Sequence, residues 1–461
     1  MKKILIIAIS FLFVTTCFSQ KEDSIMIKKI SDDILTNGKA YDNLRHLTKK
    51  IGGRLAGSPQ MTMAEQWGEQ VMRSGGADRV IMQECKVPHW VRGGEDKAEV
   101  VGGKKLDVVA LGNSMGSGKK GVKAEVLLVN SYDDLEKKRD EVKDKIVFYN
   151  YKFNPTYIQT FRSYGEASPY RGSGPSRAAK YGAKAVIVRS MSHSTDNNPH
   201  TGATRYIDSF AKIPAVAIGL RDADWLSEEL QKGKVSVQIK TNGHFLDSAI
   251  GHNVIGELTG SEFPNEIITV GGHLDSWDNC EGAHDDGAGC VQTIEILRAF
   301  KAVGYKPRRT IRFVLFANEE NGLRGGNKYA DEAKAKNARP DDSVGREKHI
   351  FALESDAGGF TPRAFGFTMS DEQFQKVLKW KPLIAPYGCS EFNRGGGGAD
   401  IGPLRRAIPT TALAGLSPDS QRYFDIHHAR NDVFENVNKR ELELGAINMA
   451  ALIYLIDKYG L

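Results

Sequence analysis

Residues that could hold metal ions lie in five stretches of the second half of the chain. They are His273 and Asp275, Asp285 and Asp286, Glu319 and Glu320, Asp356, and His427 and His428. Carboxylates brought close together repel one another, and a divalent cation removes that conflict. Histidine and carboxylate ligands without thiolate suit Zn²⁺, with Mn²⁺ or Co²⁺ as alternatives. The sequence therefore predicts a metal centre.

The number of candidate ligands indicates two ions. Five ligands are too many for one four-coordinate catalytic zinc that keeps an open position. If one carboxylate bridges, the set fits a two-metal site, which activates water and polarises a carbonyl. Each stretch alone has an ordinary structural interpretation, such as a surface loop, a solvated helix start or a helix cap. Their joint occurrence at the ends of predicted strands favours the metal interpretation.

From Gly251 onward, buried strands alternate with helices. Apolar runs at 266–275, 309–320 and 349–359 end in the candidate ligands, and helical patterns occupy 287–304 and 441–460. This alternation predicts an α/β fold with a mixed, mostly parallel sheet and helices on both faces. Because sites in such sheets form at the carboxyl ends of strands, the ligands should meet at one edge.

The pattern changes near residue 122. Short apolar runs appear at 124–130, 145–150, 183–190 and 214–219, and this segment has few residues suited to metal chemistry. We predict that residues 116–244 form an inserted domain that covers the site. The domain that carries the metal centre would then consist of residues 21–115 and 245–461.

Length and composition agree with this division. A chain of 461 residues is too long for one ordinary core. Its 40% hydrophobic and 26% charged residues are typical of a soluble globular protein. The formal charge of +6 is small and its basic residues are scattered, so we expect neither nucleic acid nor an anionic membrane as a partner.

Residues 1–20 have the pattern of a secretory signal peptide. Lys2 and Lys3 precede an apolar stretch from Ile4 to about Val14, and small or polar residues follow. The stretch is too short to span a bilayer comfortably. We predict cleavage near residue 20, no stable membrane span afterwards, and a secreted or periplasmic protein. Lipid attachment at Cys17 is disfavoured by the threonine before it.

The other four cysteines are Cys85, Cys280, Cys290 and Cys389. None belongs to a CxxC pair, so a cysteine-bound structural zinc is not expected. Export permits disulfides, but the sequence does not pair these residues. Cys290 lies in an apolar helical run, which predicts a core position.

Four motifs carry a resemblance to a known family. GGHLDSWDNCEGAHDDGAG (271–289), ANEENGLRGG (317–326), LESDAGG (353–359) and IHHARND (426–432) resemble those of zinc-dependent exopeptidases. This family includes leucyl aminopeptidases and glutamate carboxypeptidases, and its carboxypeptidase Q branch is most similar. The resemblance is very specific across 266–432 and weaker before that. It implies a zinc-peptidase fold with an inserted protease-associated domain.

The resemblance also implies a role for each ligand. His273 and Asp356 would hold one zinc, Glu320 and His428 the other, and Asp285 would bridge. His428 is preferred to His427 because the family's histidine stands four residues before an aspartate, here Asp432.

Other implied features concern the surroundings of the ligands. Glu319 would act as general base, and Asp275 would orient His273. The Asp285–Asp286 peptide bond is expected to be cis. Val433 follows Asp432 where threonine is common, a departure that touches no ligand.

The resulting prediction is an exported dinuclear zinc exopeptidase that hydrolyses dipeptides or short peptides. The alternatives are an aminopeptidase acting on longer peptides, a single-metal deacylase or amidohydrolase, and a non-catalytic receptor-like module. Asp400 is a candidate reader of a substrate amino group, although a turn-capping role is as plausible, and Arg394 is a candidate reader of a carboxylate. A homodimer is suggested only by the resemblance.

Overall fold

The computed structural model describes residues 21–340 and 343–461, so the predicted signal peptide at 1–20 lies outside the described residues. The helices are, in chain order, α1 (21–37), α2 (Ala40–His46), α3 (Pro59–Ser74), α4 (Tyr132–Lys137), α5 (Thr160–Gly172), α6 (Gly174–Ala179), α7 (Leu220–Lys232), α8 (Ala288–Ala302), α9 (Arg324–Asn337), α10 (Asp371–Leu378), α11 (Lys381–Ile384), α12 (Gly402–Ala407), α13 (Tyr423–Ile426) and α14 (Lys439–Tyr459). In this part of the chain, no helix combines the length and hydropathy needed to cross a membrane.

The strands form two sheets. They are β1 (Arg79–Val91), β2 (Lys97–Val100), β3 (Lys105–Leu106), β4 (Val108–Ala110), β5 (Val122–Val129), β6 (Ile146–Tyr149), β7 (Ala185–Arg189), β8 (Ala215–Ile218), β9 (Ser236–Lys240), β10 (His244–Leu258), β11 (Phe263–His273), β12 (Arg309–Phe316), β13 (Lys348–Glu354), β14 (Pro362–Thr368), β15 (Glu391–Arg394) and β16 (Ala412–Pro418).

The first sheet has eight strands in the order β1-β10-β12-β11-β13-β16-β14-β15. Its central strands β12, β11, β13 and β16 are parallel, whereas β1, β10 and β14 join through antiparallel pairings. One face packs against α3, α8 and α14, and the other against α9 and α12. The predicted mixed α/β sheet with helices on both faces is therefore confirmed.

The second sheet also has eight strands, in the order β3-β2-β9-β5-β6-β7-β8-β4, and we call residues 97–240 the second unit. Among the first strands of this sheet, β2 pairs with β3 and β9, and β4 pairs with β8. The strands β2, β3 and β4 lie within the segment 21–115 that the sequence assigned to the metal-bearing domain. The second sheet therefore includes strands that precede the predicted boundary at residue 116, and strands of two to four residues are too short to show a periodic pattern.

The two units interlock at Trp277, which follows β11 and is fully buried. A Cβ atom built on Gly112 of the second unit would lie 1.9 Å from the Trp277 ring, so only glycine admits this close approach. Arg92, directly after β1, pairs with Asp278 at 2.6 Å and donates to the backbone oxygen of Ala110 of the second unit at 2.8 Å. The loop that carries the first candidate ligands is thus anchored against the second unit.

The four described cysteines are free thiols, which leaves the permitted disulfides unformed in this structure. Cys290 is completely buried in α8, as predicted.

Candidate metal centre

Strand ends of the first sheet position most of the candidate ligands. His273 is the last residue of β11, Glu319 and Glu320 follow β12, and Asp356 follows β13. These three strands are parallel neighbours, so their carboxyl ends share one edge. Asp285 lies in the loop between β11 and α8.

The first group of ligand atoms surrounds the His273 ring. Its Nε2 atom lies 3.2 Å from Asp285 Oδ1 and 3.4 Å from Asp356 Oδ1. Its Nδ1 atom faces the backbone oxygen of Asp275 at 3.0 Å. Because Nδ1 must donate to that carbonyl, Nε2 of the neutral ring presents a lone pair to two carboxylates.

The second group surrounds His428 and repeats this arrangement. His428 Nε2 lies 3.1 Å from Glu320 Oε2 and 3.2 Å from Asp285 Oδ2. Its Nδ1 atom faces the backbone oxygen of Thr201 at 3.2 Å. His427 Nε2 is farther away, at 3.6 Å from Asp285 Oδ2, and its ring stacks on His428 at 3.6 Å. The geometry therefore favours His428 over His427 as a ligand.

A cation fits both groups. Ligand atoms that share a tetrahedral zinc at about 2.0–2.1 Å stand about 3.3 Å apart, close to the separations at His273 and His428. Asp285 Oδ2 and Glu320 Oε1 are also buried, with no hydrogen-bond partner among the described residues. Acceptors that face acceptors in a buried site require a proton or a metal ion between them.

The pKa shifts of the candidate ligands also indicate a cation site. Burial raises the pKa of Glu320 to about 7, and burial with the charges of nearby carboxylates raises the pKa of Asp356. Burial lowers the pKa of His428, but the charge of Glu320 and the bond to Asp285 outweigh it and leave this pKa well above the usual range. Without metal the site would thus hold extra protons, which divalent cations would displace.

Asp275 lies between His273 and the glutamate pair. Its carboxylate accepts the backbone N–H groups of Glu319 at 2.9 Å and Glu320 at 3.2 Å. The carboxylate oxygen is 3.7 Å from His273 Nδ1, whereas its own carbonyl is at 3.0 Å. Asp275 therefore orients His273 through its backbone and fixes the glutamate pair through its side chain.

Two further aspartates support the ligand loop. The Asp286 carboxylate accepts the N–H of His273 at 3.0 Å, and the Asp432 carboxylate accepts the N–H of Asp285 at 3.1 Å. A Cβ atom on Gly272 would lie 2.3 Å from Asp286 Oδ2, so glycine leaves room for this contact. The Asp285–Asp286 peptide bond is cis, as predicted.

All candidate ligands except His273 line one side of a cavity of about 750 Å³. We define the floor as Asp285, Glu319, Glu320, Asp356 and His428. We define the roof as the residues of the second unit that line the same cavity, namely Asn113, Phe161, Tyr164, Ser168, Pro169, Arg171, Gly172, Ser173, Ala203 and Arg205. The sequence predicted a covering domain but none of these residues individually.

The roof contacts the floor directly at His428. Besides the Nδ1 contact, the Thr201 N–H donates to the His428 backbone oxygen at 3.0 Å. Arg171 Nη1 lies 3.3 Å from His428 Nδ1, and its Nη2 donates to the Tyr164 hydroxyl at 2.5 Å. A motif search misses Thr201 because it acts through its backbone. The helical spacing of Tyr164 and Arg171 was the available signal.

Asp400 is buried, and its sequence neighbour Ala399 lines the cavity whereas Asp400 does not. Neither of its carboxylate oxygens has a hydrogen-bond partner within the described residues. Its backbone N–H donates to Glu354 Oε2 at 3.1 Å. Burial and the charge of Glu354 raise the pKa of Asp400 well above its usual range.

Arg394 is not brought to the site. It ends β15, which is parallel to β14, and β14 runs antiparallel to β16. Its side chain therefore lies toward the opposite edge of the sheet, where it pairs with Asp371. The prediction that Arg394 reads a substrate carboxylate is wrong, because the strand direction reverses at β14.

Comparisons with known proteins agree with this geometry. The model of Peptidase family M28 matches residues 253–453. Carboxypeptidase Q from Bos taurus is 32% identical over 422 residues, which cover 91% of this chain and 85% of that protein. Human carboxypeptidase Q gives the same identity and coverage.

Solved structures are similar over nearly the whole chain. A peptidase M28 precursor from Shewanella amazonensis is 31% identical with a TM-score of 0.88, covering 95% of this chain and 97% of that one. A zinc aminopeptidase from Bacillus subtilis is 21% identical with a TM-score of 0.63, covering 90% and 94%. The second likeness indicates a shared fold.

Proposed function

The chain belongs to peptidase family M28 and is a zinc metallopeptidase, and we propose that it is a dinuclear exopeptidase acting on dipeptides or short peptides. One observation carries the two-ion proposal. His273 and His428 each present Nε2 to a different oxygen of Asp285, at 3.2 Å in both cases. This arrangement supports the proposal that Asp285 would contribute one oxygen to each of two ions.

Each ion would have its own terminal ligands. His273 and Asp356 would hold one, and His428 and Glu320 the other. When bound, the ions supply Lewis acidity that polarises the scissile carbonyl and makes a water molecule more acidic.

Glu319 is proposed as the general base. It lines the cavity next to Glu320, and the Asp275 carboxylate holds its backbone at 2.9 Å. Burial, together with the charges of Asp356 and Glu320, raises its pKa well above the usual range, and bound cations would oppose that rise. In this role Glu319 accepts a proton from water as the oxygen adds to the carbonyl carbon. It then donates the proton to the nitrogen of the breaking C–N bond.

Exopeptidase rather than endopeptidase action is supported by the shape and charge of the cavity. Its volume of about 750 Å³ is that of a small-ligand site. The floor is acidic, whereas the roof contributes two arginines, Arg171 and Arg205. Arg171 donates to the Tyr164 hydroxyl and to the backbone oxygen of Thr201. Within the described chain the Arg205 guanidinium has no ion pair, so we propose that it reads the terminal carboxylate of the substrate.

For the other end of the substrate, Asp400 stays a proposal. Its buried, unpartnered oxygens would suit an ammonium group. Asp400 does not line the cavity, whereas Arg205 does. Arg205 is therefore the better supported reader of a peptide terminus.

Two substrate panels test the function. Purified enzyme is assayed on free dipeptides after zinc removal and after zinc is restored, with metal content measured in parallel. We expect turnover to disappear and return, with about two zinc ions per chain when active. Turnover that persists in the chelated protein would contradict the proposal.

The second panel compares N-blocked and C-blocked dipeptides with longer peptides. Loss of cleavage on blocking the carboxyl end supports recognition by Arg205. Cleavage of long peptides that tolerates a blocked carboxyl end would instead favour the aminopeptidase alternative.

We also propose that the protein is exported, and the support is the pattern of residues 1–20. The resemblance supports two more proposals, that the second unit is a protease-associated domain and that the enzyme is a homodimer. Size measurement of the purified protein would test the latter.

A further inference from the structure

One face of α5 lines the cavity at regular helical intervals. Its lining residues include Phe161, Tyr164, Ser168 and Arg171. Successive members are three, four and three positions apart, which places them on one side of the helix. The face is aromatic near the start of α5 and cationic near its end.

Phe161 is the unusual member of this face. It is 41% exposed although it lies in a lining position. Its ring stacks on that of Tyr423, with centroids 5.4 Å apart and an angle of 17°. Tyr423 also lines the cavity and is otherwise buried, so the pair forms an open aromatic wall.

The aromatic wall continues into the metal centre. Tyr164 meets His427 edge to face at 5.0 Å, and Tyr423 lies 5.1 Å from the same ring. His427 in turn stacks on the proposed ligand His428. A ligand that covers Phe161 therefore lies in the same cavity as the reacting centre.

We propose that Phe161 and Tyr423 form a subsite for a large apolar or aromatic side chain next to the scissile bond. This inference rests on the proposed peptidase function and adds the substrate class. Binding sites for small ligands combine apolar and aromatic walls with a few polar groups that fix orientation. Here Phe161 and Tyr423 supply the aromatic surface, and Arg205 supplies a charged group. The favoured substrate is therefore a short peptide that carries both an apolar side chain and a carboxylate.

The test compares substrates that differ only in side-chain size. The kcat/KM values for Phe-Gly and Gly-Phe are divided by that for Gly-Gly, in the wild type and in Phe161→Ala. We expect the ratio for one of the two phenylalanine substrates to fall by about tenfold in the variant. Zinc content should stay unchanged, and because each kcat/KM value is divided by that for Gly-Gly, a general change of turnover cancels in the ratio. Phe161→Leu should restore part of the ratio.

The matched control is Ile158→Ala. Ile158 is an apolar residue of the same unit and is 80% exposed, but it does not line the cavity. It should leave every ratio unchanged. Equal ratios in wild type and Phe161→Ala would overturn the subsite.

A binding measurement separates this inference from the proposed function. Reduced-amide analogues of the same dipeptides, which cannot be hydrolysed, are titrated by calorimetry. Binding that favours phenylalanine and depends on Phe161 would support the subsite even if the protein hydrolysed no peptide, an outcome that would overturn the function alone. Binding indifferent to side chain and to Phe161 would overturn the subsite.

Discussion

The floor of the central cavity comes from loops at the strand ends of the first sheet, whereas the roof comes from α5 and the loops of the second unit around residues 113 and 201–205. At the floor, His273 and His428 each lie 3.1–3.4 Å from two of the candidate carboxylates. Roof residues are separated along the chain and include uncharged aromatic and backbone groups. The comparison teaches that the proposed chemistry depends on the first sheet, whereas the proposed substrate selection depends largely on the second unit.

The largest effect should come from the floor. Glu319→Gln removes the proposed proton acceptor while keeping the side-chain shape, so kcat should fall by about two to four orders of magnitude. Metal content should be retained, because no proposed ion depends on this residue. Turnover and bound zinc are measured on the same sample.

Glu332→Gln is the matched control for that variant. Glu332 lies on α9 and pairs with Lys328 at 3.0 Å, away from the cavity lining. It should keep full activity. A Glu319→Gln enzyme with near-normal turnover would mean that the floor does not contain the base.

A substitution at the contact between Trp277 and Gly112, which we call the junction of the two units, should affect both regions together. Trp277→Ala empties the contact with Gly112, and replacement of a fully buried tryptophan costs about 3–5 kcal/mol of unfolding free energy. Denaturant unfolding measures this loss.

Trp225→Ala provides the contrast, since Trp225 packs only within the second unit, beside Lys104. It is half-buried, so we expect a smaller loss of stability. If Trp277→Ala costs no more than Trp225→Ala, the junction does not hold the two units together.

The smallest effect should come from the roof. Arg205→Gln removes the cation proposed to read a carboxylate, so KM for free dipeptides should rise by about tenfold, about 1.4 kcal/mol. The kcat value and C-amidated substrates should be unaffected. Steady-state kinetics on the matched acid and amide give the comparison.

Arg162→Gln serves as the control for Arg205. Arg162 is exposed on α5 but stacks on Tyr157 rather than lining the cavity. An equal change of KM in both variants would mean that Arg205 acts only through its general surface charge and does not contact the substrate carboxylate.

Sequence reasoning reached the floor and largely missed the roof, for physical reasons. Metal chemistry restricts ligands to a few residue types, and parallel strands bring their ends to one edge, so His273, Glu320 and Asp356 could be placed together in advance. Thr201 contributes backbone atoms that any residue possesses. Arg394 was misplaced because its strand direction depends on a long-range pairing that local patterns do not encode.

His428 belongs to both regions at once, since Thr201 of the second unit holds its ring and its backbone. A shift of the roof would therefore disturb a proposed metal ligand, and loss of an ion held there would loosen the roof. Zinc binding and the packing of the two units would then be coupled. By thermodynamic reciprocity, zinc would favour the packed arrangement by the same factor by which packing raises the affinity for zinc. The second unit would in this way contribute to metal retention as well as to substrate contact.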